Sequence, residues 1–205
     1  MTVMAHGQWK TNAELISDVA RLGYLKYEWD VLDPTYGKGN FWTIWRPRML
    51  VGSDLHPEKT QIDRAVDFTD MPWMDETFDA VVFDPPYKMN GTPSLEDMDE
   101  AFGVNIPTRW QDRISLIEDG VRECIRVLRP HSPYSDGGFL LVKCKDQVVS
   151  GQKVWQTDII TKVATDAGLR KVDRFDMPSY MAQPGGTSQV HSRSNTSQLL
   201  VFRKK

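Results

Sequence analysis

Phe78-Asp79-Ala80-Val81-Val82-Phe83-Asp84-Pro85-Pro86-Tyr87 is the stretch on which the reading of the fold turns. From Ala80 to Phe83 every side chain is apolar, although successive residues of a strand face opposite ways, so the run predicts a strand buried on both sides. It stops at Asp84, and the two prolines that follow cannot donate to a sheet ladder. A buried strand ending on a carboxylate suits an α/β protein, in which ligands sit at the carboxyl ends of the strands.

The pattern repeats towards both ends of the chain. Trp29 to Leu32 reads as a strand ending at Asp33, Met49 to Ser53 as one ending at Asp54, and Ala65 to Phe68 as a short third that carries Asp67. Phe139 to Lys143, Lys171 to Phe175 and Gln198 to Arg203 complete seven expected strands. Helices are predicted from the Thr11/Glu14 capping-box spacing to Leu22, from Pro57 to about Arg64, from Trp110 to Leu128 and from Val154 to Ala167. Strands alternating with helices imply a mainly parallel seven-stranded sheet with helices on both faces. Residues 88–107 and 177–196 read as loops, rich in Gly, Pro and polar side chains.

The chain has 205 residues, 40% of them hydrophobic, enough for one core, so a single domain over residues 1–205 is expected. No apolar run is long enough to cross a bilayer and Met1 to Lys10 lacks the apolar centre of a secretory signal, which predicts a cytoplasmic location and no membrane partner. Cys124 and Cys144, the two cysteines, form neither a disulfide framework nor a CxxC pair. The net charge of −3 hides an asymmetry: residues 1–108 carry −9 and residues 109–205 carry +6. A basic carboxyl half suits an approach to phosphate.

Two constellations carry chemistry. The first is Asp33-Pro34-Thr35-Tyr36-Gly37-Lys38-Gly39, where glycines after a strand let the backbone turn tightly and approach a ligand. Lys38 lies between the glycines and no GK[ST] follows, so this is not a P-loop. Asp54, at the next strand end, is placed to accept ribose hydroxyls. Asp67 could accept from an adenine amino group, with Phe68 covering the ring. The second is Asp84-Pro85-Pro86-Tyr87. The lone pair of an exocyclic base amine is delocalised into its ring, and two acceptors on its N–H groups would favour a tetrahedral nitrogen that can attack. Asp84 supplies one acceptor, the Pro85 carbonyl held by the rigid Pro85-Pro86 pair the other, and Tyr87 a face on which an extruded base can stack.

With these motifs the chain resembles the amino-group methyltransferases acting on adenine N6 or cytosine N4. The D-P-P-Y tetrapeptide matches at Asp84, Pro85, Pro86 and Tyr87, and a D-P-x-x-G-x-G-like loop at Asp33, Pro34, Gly37 and Gly39, over roughly residues 10–175. The resemblance implies a class I Rossmann-like methyltransferase fold and S-adenosyl-L-methionine as cofactor. Its methionine part would lie on the glycine loop, its ribose on Asp54 and its adenine by Asp67 and Phe68. The implied partner is a nucleic acid, with adenine N6 in DNA favoured by the aspartate that opens the tetrapeptide. The short stretch between Asp67 and Asp84 leaves no room for a separate recognition domain, so target selection falls to 88–107 and 177–196. RNA bases, at adenine N6 or guanine N2, and a non-catalytic cofactor-binding subunit are the alternatives. The chemistry asks for no metal, and His191 is read as a solvated loop residue rather than a base.

Overall fold

The computed structural model describes residues 2–62, 64–87, 89, 109–178, 190–192 and 194–205. Its centre is a six-stranded sheet of β1 (Asp30–Asp33), β2 (Met49–Gly52), β3 (Ala80–Phe83), β4 (Phe139–Cys144), β7 (Arg170–Pro178) and β8 (Thr196–Arg203), in the order β2-β1-β3-β4-β8-β7. The β1–β2, β1–β3 and β3–β4 pairs are parallel, and β8 runs antiparallel to both β4 and β7. Five strands thus point one way and β8 alone points back. A separate hairpin joins β5 (Gln147–Val149) to β6 (Gln152–Val154).

β3 and β4 read as apolar runs because helices cover the sheet on both faces. Val81, Phe83, Leu140 and Val142 pack with Ile117, Val121 and Cys124 of α2 (Trp110–Val127) and Ile160 of α3 (Gln156–Asp166). Ala80, Val82 and Leu141 face the other way, towards Ile16 and Val19 of α1 (Asn12–Arg21) and towards Phe41 and Trp42 of a single 3-10 turn at Asn40–Trp42. The capping box of α1 is formed: Glu14 N–H donates to Thr11 Oγ1 at 3.2 Å, and Thr11 N–H to Glu14 Oε2 at 3.2 Å. Among the described residues no helix is long and apolar enough to cross a membrane.

Several expected elements differ. The strand predicted at Ala65 to Phe68 is not one, so among the described residues the sheet has six strands rather than seven. Val66 N–H makes one backbone bond, to Asp54 O at 2.9 Å, and the Asp67 carboxylate then turns the chain by accepting the Thr69 N–H. The helix expected from Pro57 to Arg64 is one 3-10 turn, Pro57–Lys59. The β5–β6 hairpin was not anticipated, and β7 runs on to Pro178, into the stretch read as a loop. Most of 88–107 and 177–196 lies outside the described residues.

Gly120 of α2 marks a close approach of helix to sheet. A Cβ there would come within 2.7 Å of both Phe83 Cζ and Phe68 Cδ2. In an exposed helix Gly→Ala stabilises by about 1 kcal/mol, but crowding a packed core costs roughly 1–3 kcal/mol. Gly120→Ala is therefore expected to lose stability by up to about 2 kcal/mol in urea unfolding; a gain would contradict this packing.

Candidate active site

The chain leaves β1 towards β2 on one side and returns through β3 on the other. The carboxyl ends of β1 and β3 therefore flank the crevice at which open α/β sheets hold ligands. Asp33 ends β1 and Asp84 follows β3, which brings the two carboxylates together.

Thr35 links them. Its backbone N–H and its hydroxyl donate to Asp33 Oδ1 at 3.0 and 3.2 Å, and its hydroxyl oxygen accepts the Asp84 N–H at 2.9 Å. Trp42 Nε1 donates to Asp33 Oδ2 at 2.7 Å. Despite these donors, burial pushes the Asp33 carboxyl from 3.8 up to about 7, and the nearby charge of Asp84 adds to the rise. Asp84 is half-buried as a residue, yet its Oδ1 is enclosed and has no hydrogen-bond partner among the described residues. Burial raises its pKa too, opposed by the ammonium of Lys143. Enclosed acceptors are nearly always satisfied in folded proteins. An unsatisfied carboxylate oxygen at the ligand crevice is thus suited to a donor from outside the chain.

The glycine loop is held from both ends. Gly37 and Gly39 have φ of 54° and 68°, in the left-handed region that glycine tolerates. Gly39 and Gly52 both lie against the Tyr36 ring, where a Cβ would collide. Asp54 Oδ2 accepts the Gly37 N–H at 3.0 Å and Oδ1 the His56 N–H at 3.0 Å. Each oxygen keeps a further lone pair, so Asp54 can fix the loop and still accept hydroxyls. Pro34 is buried.

Asp67 and Phe68 part company. Asp67 is exposed, and its carboxylate accepts the Thr69 N–H and hydroxyl at 2.8 and 2.7 Å. Phe68 is half-buried and meets Phe83 edge-on at 5.1 Å between ring centroids, against the end of β3. Phe68 thus packs between Gly120 of α2 and Phe83, whereas Asp67 faces solvent.

After Asp84, Pro85 is buried and Pro86 and Tyr87 are half-buried. The Tyr87 carbonyl accepts from the side-chain amides of Gln147 and of Gln156, the latter at 2.9 Å. Burial and the neighbouring Asp84 raise the Tyr87 phenol, which is neutral at physiological pH.

Sequence reasoning missed Lys143, Trp42, Gln147 and Gln156. Lys143 left one trace, as the charged residue of the apolar run Phe139–Cys144. The other three are ordinary polar or aromatic residues that only the tertiary structure brings in. His191 is exposed, and Tyr180, Gln183 and Arg193 of the proposed second recognition loop lie outside the described residues.

No sequence-family model matches the chain, and no curated protein matches it. Solved structures do. The chain is similar to a Bacillus halodurans C-125 protein designated a methyltransferase, with TM-score 0.58 and 16% identity, covering 92% of this chain and 98% of that one. It is similar to a SAM-dependent methyltransferase of Methanosarcina mazei, with TM-score 0.54 and 11% identity, covering 90% and 96%. It is also similar to the [4+2]-cyclase SpnF, with TM-score 0.55 and 16% identity, covering 98% and 88%. The architecture is the class I Rossmann-like methyltransferase fold. The cyclase shows that this fold carries other chemistry as well, so function must be argued from the site.

Asp33 gives the site a pH signature. Because the folded chain favours its protonated form, Asp33 supports folding fully below about pH 4, and that support is lost as pH rises through about 7. Asp33→Asn does not titrate. Between pH 4 and pH 8 the difference in unfolding free energy should therefore move in favour of the variant, by up to roughly 4 kcal/mol. A difference independent of pH would show that burial does not raise the Asp33 carboxyl in the folded chain.

Proposed function

We propose that the protein is an S-adenosyl-L-methionine-dependent methyltransferase acting on an exocyclic amino group of a nucleic-acid base, with adenine N6 in DNA as the preferred target. The observation that carries this reading is Asp84 Oδ1, an enclosed carboxylate oxygen without a donor among the described residues, at the crevice of a methyltransferase fold.

The residues fit the cofactor. Gly37 and Gly39 hold left-handed turns that a side chain would strain, Asp33 with Pro34 anchors the loop that would carry the methionine part, Asp54 keeps acceptors for a ribose, and Phe68 offers a ring wall. Asp67 is left a smaller part, since its own turn uses its carboxylate. When bound, S-adenosyl-L-methionine supplies a methyl group activated on a sulfonium.

The remaining work falls to the chain. Asp84 accepts one N–H of the target amine and the Pro85 carbonyl the second, so that the nitrogen turns tetrahedral and its lone pair becomes available. Tyr87 stacks on the flipped base, and its neutral phenol adds no charge. Gln147 and Gln156, by gripping the Tyr87 carbonyl, keep the tetrapeptide from shifting, where a misplacement of about 1 Å can cost roughly 10²-fold in rate.

Purified protein with labelled cofactor and separate DNA, RNA and protein pools tests this. Label is expected in DNA, label in RNA alone would move the target to RNA, and cofactor binding with label in none would favour a non-catalytic binder. Asp84→Ala is expected to lower transfer by at least roughly 10²–10³-fold with cofactor affinity unchanged, and surviving activity would remove Asp84 from the chemistry. Asp54→Ala should weaken cofactor binding by about 1.5–3 kcal/mol; an unaltered dissociation constant would refute its role.

A further inference from the structure

Lys143 is an unusual presence. It is 3% exposed, near the end of a strand whose six residues are all buried. Its Nζ donates to Asn12 Oδ1, lies 3.8 Å from Met177 Sδ, and sits 5.6 Å from the centroid of the Phe41 ring. All three partners are neutral. Taking an ammonium out of water is costly unless a counter-charge offsets it.

The register supplies that counter-charge. β3 and β4 pair Val82 with Leu141 and Phe83 with Val142; continuing that register one residue past the end of β3 would set Asp84 opposite Lys143, and the two charges do interact. Val82 and Leu141 face the α1 side of the sheet, so by the two-residue alternation of strands Asp84 and Lys143 face it together. Yet Asp84 Oδ1 remains without a hydrogen bond. Lys143 spends a donor on Asn12, and no ion pair closes between Lys143 and Asp84. Cation and anion on adjacent strands instead attract one another through a low-dielectric interior while the acceptor stays available.

We propose that Lys143 is the positioning residue of this site, a buried cation that keeps Asp84 an ionised acceptor without occupying the oxygen that receives the target amine. The inference deepens the amine-methylation reading and rests on it. Each group bears the mark of the other: burial raises Asp84 and lowers Lys143, and each charge opposes the other's shift. The other titratable groups around Asp84 leave Lys143 as the cation. Asp33 of β1 is an acid whose pKa Asp84 itself raises. Tyr87 and Cys144 are pushed up by burial and are neutral near pH 7. From α1 comes the neutral Asn12, and from β7 Met177, whose neighbour Asp176 is paired with Arg174.

The test is the carboxyl titration of Asp84, followed by ¹³C NMR in aspartate-labelled full-length protein and assigned with Asp84→Asn. Wild type is compared with Lys143→Met and Lys143→Gln, two neutral replacements of which the second keeps a donor, and with Lys143→Arg, which keeps the charge. Both neutral variants should titrate Asp84 roughly one to two pH units higher, with Lys143→Arg close to wild type. The acid limb of kcat/KM for methyl transfer should move up by the same interval, with activity recovering at higher pH. An unmoved Asp84 midpoint in a folded neutral variant, or a loss of activity equal at every pH, would overturn the proposal and reduce Lys143 to a packing role. A wild type that methylates no pool would defeat the amine-methylation reading instead, and the Asp84 titration would still report on Lys143.

Discussion

A single hydroxyl, that of Thr35, holds the candidate site together: it donates to the carboxylate that ends β1 and accepts the N–H of the residue that follows β3. The two loops would otherwise leave the sheet independently, since the chain runs from β1 to β2 before it reaches β3. The bond works only because β1 and β3 are neighbours, and that adjacency rests on the apolar faces of Val31, Leu32, Val81 and Val82 packed under helices on both sides. Hydrophobic burial fixes the strands, and a short polar network at their ends converts that order into a site. The cost is the burial of two carboxylates at one crevice, which the fold meets with donors for one and a buried cation on the neighbouring strand for the other.

This unequal treatment divides the labour. Asp33 receives three donors and is structurally committed, whereas Asp84 keeps an enclosed oxygen free. Asp54 falls between, with each oxygen bonded once and lone pairs to spare. The part proposed to cradle the cofactor is thus tied down by backbone and side-chain bonds, and the part proposed to take the amine is left unsatisfied until a donor arrives. That asymmetry cannot come from the fold, which is shared with a [4+2]-cyclase.

Much of this was legible in the sequence, for physical reasons that also explain the failures. Strands β1, β2, β3 and β4 were readable because burial on both faces forces apolar runs, and the carboxylates that follow them interrupt those runs sharply. The α1 cap was readable because Thr11 and Glu14 satisfy it locally. Ala65 to Phe68 misled because its composition is compatible with a strand, whereas the outcome was decided by Asp67 bonding to its own turn. The β5–β6 hairpin was missed because its strands are three residues each, too short for an alternation to declare itself. Trp42, Gln147 and Gln156 could not be assigned, since their partners lie 9, 60 and 69 residues away and no spacing rule connects them. Lys143 was visible as a charge in an apolar strand, but its meaning depends on a register that only the folded sheet supplies.

The central claim is that Asp84 and the Pro85 carbonyl grip an amino group of a base so that it can accept a methyl. The most direct measurement is mass spectrometry of nucleosides from cells making the protein, set against cells making Asp84→Ala. The account predicts N6-methyladenine in DNA that depends on Asp84. Nucleosides identical in the two cultures, with both proteins folded and able to bind the cofactor, would contradict it.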